Sequence, residues 1–85
     1  MPPMWTEHDN ALTRTFRFPD FKTAFAFITA VAAEAERQDH HPWWSNMYDT
    51  VEFRLYTHDA GNTVTKRDHR LADAIDRIYA LLNEQ

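Results

Sequence analysis

Between Leu12 and Phe18 the chain alternates, with Leu12, Arg14, Phe16 and Phe18 on one parity and Thr13, Thr15 and Arg17 on the other. A period of two, carried by aromatic and β-branched residues, is the pattern of a half-buried strand. A first ordered piece at Met4 to Glu7 and turn residues at His8-Asp9-Asn10 make this a predicted hairpin. The period then changes. After Pro19, Asp20 can cap exposed N–H groups, and Phe21, Phe25, Ile28, Ala32 and Ala35 recur at helical spacing, so they are expected to face the sheet. Phe27 and Val31 fall outside that stripe, giving the helix two apolar faces that suit either a second packing partner or a thick core. Pro42 disfavours helical geometry at His41 and should end the helix near Asp39 or His40. Alternation returns over Ser45 to Tyr48 and Val51 to Thr57, where Val51, Phe53, Leu55 and Thr57 oppose Glu52, Arg54, Tyr56 and His58. By that parity His58 points away from the core. His58 to Asn62 reads as a loop, and Thr65-Lys66-Arg67-Asp68 resembles a capping box with Asp in the place of Glu. Leu71, Ile75, Ile78, Tyr79 and Leu82 supply the apolar stripe of a last helix.

The order β-β-α-β-β-α predicts an α+β fold, a four-stranded antiparallel sheet with helices packed on one face. No linker, repeat or low-complexity tract interrupts it, so residues 1–85 read as a single domain. A domain of this size buries only about 60% of the surface its unfolded chain exposes. With 44% hydrophobic and 14% aromatic residues, it is expected to complete its burial as a homodimer or homotetramer.

A net charge of -4, with one dense basic run at Lys66 to Arg70 that Asp68 dilutes, argues against direct binding to nucleic acid. Ala24 to Ala33 is far shorter than the roughly 20 apolar residues of a membrane span, and Met1-Pro2-Pro3-Met4 does not read as a secretory leader. A cytoplasmic domain is the expectation. The absence of cysteine removes disulfides, thiolate nucleophiles and cysteine-ligated zinc, and one glycine cannot build a phosphate loop or a dinucleotide fingerprint.

What remains is histidine and carboxylate. His40-His41-Pro42 follows Glu36 by one helical turn, with His58 and Asp68 further on. Adjacent histidines on a helix point about 100° apart, which is poor geometry for chelating one metal ion. A zinc site would need His58 or a carboxylate and a bend at the pair, and solvated histidines at a helix end, offsetting the negative dipole, are the plainer alternative. The third reading is acid/base chemistry. Histidine gives or takes a proton near neutral pH, and a neighbouring carboxylate can orient it. Glu36 could be such a partner or an ordinary solvated glutamate, and Asp68 has structural work of its own in the capping box.

Glu36 to Pro42, then Trp44, Asn46 and Tyr48, then Thr57-His58-Asp59-Ala60-Gly61, and finally Asp68 with Leu71-Ala72 resemble the signature of pterin-4a-carbinolamine dehydratases. The likeness extends to Trp5 and to Arg14 through Phe21, covering nearly the whole chain. It implies removal of water from a 4a-hydroxytetrahydropterin to give a quinonoid dihydropterin, with no metal or organic cofactor. It also implies His40 and His58 as the acid/base pair, with His41 holding the pterin and Glu36 and Asp68 orienting or polarising the set. Pro42, Trp44, Thr57 and Asp59 would complete the substrate-binding residues by position, with Trp43, Trp44 or Tyr48 available to stack on a flat heterocycle. Animal members of the family also serve as dimerisation cofactors for a homeodomain transcription factor, so a protein partner is the rival expectation. This sequence departs from the family pattern in three places. It begins near the first strand, Trp43 stands at a position often acidic or polar, and the stretch from His58 to Asp68 is one residue longer.

Overall fold

The computed structural model describes residues 4–83, apart from the side chain of Asn83; Met1 to Pro3, read above as lacking a leader, lie outside the described residues. The elements are β1 (Thr6–His8), β2 (Ala11–Arg17), α1 (Phe21–Gln38), β3 (Trp43–Met47), β4 (Thr50–Leu55), a 3-10 turn (His58–Ala60) and α2 (Lys66–Asn83). The four strands form one antiparallel sheet in the order β1-β2-β4-β3. This is the expected α+β order. None of the described helices is long and apolar enough to cross a membrane.

Local chemistry sets the turns. His8 pairs with Ala11 across Asp9 and Asn10, whose φ values of 51° and 62° are those of a two-residue hairpin turn that matches strand twist. Asn and Asp tolerate that left-handed geometry. Asp20 caps α1 by accepting the Thr23 N–H at 2.8 Å. At the other end Asp39 adopts φ 53°, its N–H donates to the Glu36 carbonyl, and the His40 N–H reaches back to the Ala35 carbonyl. This pair of bonds is a Schellman cap. It turns the chain back under the helix and carries His40 inward, so the histidine next to the cap is buried.

The core lies between one face of the sheet and the two helices. Leu12, Phe16 and Phe18 of β2 and its end, and Val51, Phe53 and Leu55 of β4, meet Ala24, Phe27, Ile28, Val31 and Ala35 of α1 and Leu71 and Ile75 of α2. Ile28 and Ala35 meet the core as expected, but the predicted stripe of α1 is corrected at its start. Phe27 and Val31 are fully buried, whereas Phe21 and Phe25 are 45% and 55% exposed and stack on one another. Both stripes have helical spacing, so periodicity cannot choose between them. Packing does: Phe27 fits among Phe16, Phe18, Phe53 and Tyr79, and Ala24 and Ala35 let the helix approach the sheet closely.

A partly buried ion pair ties the first hairpin to α2. Arg14, on the core parity of β2, donates to Asp76 at 2.8 Å, and the Trp5 indole N–H donates to the same oxygen at 2.8 Å. The Arg14 guanidinium lies over the Phe16 ring at 4.4 Å.

Candidate active site

Asp68 organises the site from beneath. The capping box forms, with the Thr65 N–H donating to Asp68 Oδ2 at 2.8 Å and the Arg67 N–H to Thr65 Oγ1 at 3.3 Å. Oδ2 also accepts the Thr57 hydroxyl at 2.8 Å, and Oδ1 lies 2.6 Å from His40 Nε2, across 28 residues of sequence. Asp68 is fully buried, so every one of these partners replaces water it has lost. In the neutral ring the Nε2–H donates to Asp68, leaving Nδ1 as the nitrogen with a free lone pair.

Each of the other two histidines has its own partner. His41 Nε2 is 2.9 Å from Glu36 Oε1 in an exposed pair. His58 Nδ1 is 2.9 Å from Asn62 Oδ1, and Asn62 holds φ 58° just after the turn that Gly61 closes. An Nδ1–H donating to that amide oxygen leaves His58 Nε2 free to accept a proton. The sheet parity turns His58 away from the core, as expected, and the bridge between Thr57 and Thr63 pins the loop that follows.

His40, His41 and His58 line one open cavity of about 750 Å³ with Pro42, Trp43 and Asp59. Tyr56, Arg67 and Asp39 complete its wall, and Arg67 donates to Asp59 at 2.6 Å. Of the residues singled out from the sequence, Asp68 and Thr57 lie behind His40 rather than on the surface, and Glu36 bonds His41 from outside the lining. Trp44 is not brought to this cavity. Adjacent strand residues point to opposite faces, and Trp44 pairs with Phe53 and packs its ring 6.2 Å from that residue. Sequence reasoning missed Tyr56, Arg67 and Asn62. Tyr56 was legible, since it shares the strand parity of His58, whereas nothing in the spacing marked Asn62 as a partner for His58. Among the described residues no three His, Asp or Glu side chains are grouped so that they could hold one metal ion.

Residues 1–78 match the family model for pterin 4 alpha carbinolamine dehydratase. The chain belongs to the pterin-4-alpha-carbinolamine dehydratase family. It is 54% identical over 78 residues to a Nitrobacter winogradskyi protein that carries the name "Putative pterin-4-alpha-carbinolamine dehydratase", covering 89% of this chain and 76% of the relative. A Rhodospirillum rubrum protein of the same name is 53% identical over 78 residues, covering 89% and 80%. Among solved structures of the pterin dehydratase family, a transcriptional coactivator/pterin dehydratase from Brucella melitensis superposes with a TM-score of 0.83 at 43% identity, over 87% of this chain and 80% of that one. A pterin dehydratase-like RuBisCO assembly factor of the alpha-carboxysome shares the fold, with a TM-score of 0.77 at 22% identity over 91% and 90% of the two chains.

Proposed function

We propose that this chain dehydrates a 4a-hydroxytetrahydropterin to a quinonoid dihydropterin by histidine acid/base catalysis, supplying the dihydropterin to a reductase that recycles it. The observation that carries the reading is three imidazoles on one cavity, each held by a different hydrogen-bond partner. Neither helix capping nor surface solvation requires that arrangement.

The reaction needs two proton transfers. The C4a–O bond breaks as an acid protonates the departing hydroxyl, which leaves as water, while a base takes the N5 proton and the electron pair forms the new double bond. His40 is the acid, because the Asp68 carboxylate offsets the positive charge His40 carries when protonated. His58 is the base, because its amide partner orients the ring without adding charge. His41, at the mouth beside Pro42, binds the pterin, and Trp43 supplies a flat apolar wall. Asp59, held by Arg67, is placed to accept N–H donors of the heterocycle.

The test is turnover of freshly generated 4a-hydroxytetrahydropterin. His40→Ala and His58→Ala should each lower the rate by roughly 10²-fold or more, the usual scale of general acid–base catalysis. His41→Ala should weaken pterin binding as well, whereas His69→Ala, on the exposed side of α2, should leave the rate as it was. No dehydration above the uncatalysed rate would refute the reading.

A binding role is the second reading. The edge strand β3 is exposed along its length, with Trp43 and Met47 exposed on one parity, Trp44 on the other, and Tyr48 exposed just beyond its end. Such an edge, with unpaired backbone groups and exposed apolar side chains, suits a second copy of the chain in a homo-oligomer, or a protein partner. Light scattering that finds only monomer at micromolar concentration would remove the oligomer.

A further inference from the structure

Two threonine hydroxyls join the start of α2 to the carboxylate that holds His40. Thr57 Oγ1 lies 2.6 Å from Thr65 Oγ1 and 2.8 Å from Asp68 Oδ2, and Thr57 is buried. A hydroxyl has a single proton to donate, and an ionised carboxylate can only accept. The Thr57 proton therefore lies towards Asp68, since turning it to Thr65 would leave two oxygens 2.8 Å apart with no proton between them. It follows that Thr65 donates to Thr57. The Thr65 oxygen in turn accepts the Arg67 N–H at 3.3 Å, so every donor in the chain Arg67, Thr65, Thr57 points towards Asp68 Oδ2.

We propose that Thr65 is a positioning residue for His40, acting through Thr57 and Asp68 along this chain of hydroxyls. The inference rests on the reading of His40 as the acid and adds to it a residue outside the cavity lining. Hydrogen bonds in series polarise one another, so the Thr65 donation strengthens the bond that Thr57 makes to Oδ2. Thr65 also donates its own N–H to that oxygen at 2.8 Å, acting on it once directly and once by relay.

Charge drawn to Oδ2 is withdrawn from Oδ1, the oxygen that meets His40 at 2.6 Å. The chain thereby moderates the pull of Asp68 on the ring, which stays oriented yet releases its proton to the departing hydroxyl. Helix capping does not require this arrangement. The capping box uses the N–H and an oxygen lone pair of Thr65, and leaves the hydroxyl proton to be placed by its surroundings. The Arg67 guanidinium meanwhile holds Asp59 at the cavity wall, so the first turn of α2 sets both a wall of the site and, through the hydroxyls, its acid.

Three substitutions separate this role from capping. Thr65→Ala removes cap and donor, Thr65→Ser keeps both, and Thr57→Ala removes the relay while leaving the cap. With rates taken per folded molecule, Thr65→Ala should lower kcat about three- to tenfold, the scale of one hydrogen bond, and Thr65→Ser should restore it. KM should hardly move, because His41 and the cavity walls are unchanged. In a Thr57→Ala background, Thr65→Ala should lower kcat by less than about twofold further, although loss of the cap still lowers the unfolding midpoint. The proton resonance of His40 Nε2–H should move downfield in Thr65→Ala and return in Thr65→Ser, a measurement that needs no turnover. Native kcat with reduced stability, an unmoved or upfield resonance, or an effect of Thr65→Ala undiminished by Thr57→Ala would overturn the proposal. The downfield shift in a protein that dehydrates no carbinolamine would support the link from Thr65 to His40 and defeat the catalytic reading alone.

Discussion

Replacing Asp68 by Asn changes the charge of one buried group and almost nothing of its shape, and its consequences can be worked through atom by atom. The native carboxylate accepts from three donors, the Thr65 N–H and Thr57 hydroxyl at Oδ2 and His40 at Oδ1. An amide has one oxygen and one NH2. The Thr65 donor is backbone and cannot become an acceptor, so the amide oxygen must stay there and the NH2 must face His40. That forces His40 into the tautomer with its proton on Nδ1, the reverse of the native ring. It also removes the charge that balances a protonated His40 in a site almost closed to water. Weakening charge-assisted hydrogen bonds of about 1.5–3 kcal/mol each should cost roughly 2–4 kcal/mol of stability. A chain of this size has roughly 4–13 kcal/mol in total, so rates are compared per folded molecule, with the folded fraction taken from the unfolding curve. Turnover should nonetheless fall by about 10²-fold or more, because the acid is held in the wrong tautomer. Urea unfolding gives the stability change, initial rates on the carbinolamine give the catalytic one, and nitrogen chemical shifts of His40 report the tautomer. Native turnover in a variant whose His40 tautomer has switched would refute the role given to the pair. Stability within about 0.5 kcal/mol of the native protein would refute the burial argument.

Asn62→Gly keeps a residue that favours positive φ but deletes the oxygen that orients His58, so turnover should drop by roughly tenfold, part of the base's full contribution, while the unfolding midpoint hardly moves. An unchanged rate would show that His58 needs no such partner. Phe27→Ala should cost about 3–5 kcal/mol in chemical denaturation, as expected for a fully buried aromatic, whereas Phe25→Ala on the exposed face should stay within about 0.5 kcal/mol; similar losses would restore the original stripe. In acid, the hydrogen bonds from the Thr23 side chain and backbone hold the Asp20 carboxyl below the usual aspartate value. The cap therefore stabilises the fold above the ordinary aspartate range and is lost as pH falls through the depressed range. Circular dichroism of the Asp20→Ala variant should show a shallower decline over that acidic window than the native protein; an identical decline would remove Asp20 from the account.

The order of elements was written in the sequence because it rests on local rules. Alternation across Leu12 to Phe18 and Val51 to Leu55 is a property of strands wherever they pack, and Asp9-Asn10 and Pro42 constrain their own dihedral angles. The Thr65 to Asp68 capping box was legible for the same reason, since its partners are three residues apart. The histidines and carboxylates were recognisable as a set through a resemblance, not through their spacing. Tertiary structure decided which of two equivalent helical stripes met the sheet, a choice made by the volume available beside Phe16 and Phe53 and invisible to periodicity. It also decided that Asp68 serves its own helix, Thr57 and His40 at once. One oxygen holds the start of its own helix and the Thr57 hydroxyl, and the other meets His40, which a Schellman cap 28 residues earlier has turned into the core. The His58–Asn62 pair lies between these cases: both residues sit in one short loop, but only a positive φ at Asn62 sets the amide against the ring. Local sequence determines what a segment can become. Which side chains then share a cavity depends on the closing of the sheet against its helices, a collective packing solution that no single segment contains.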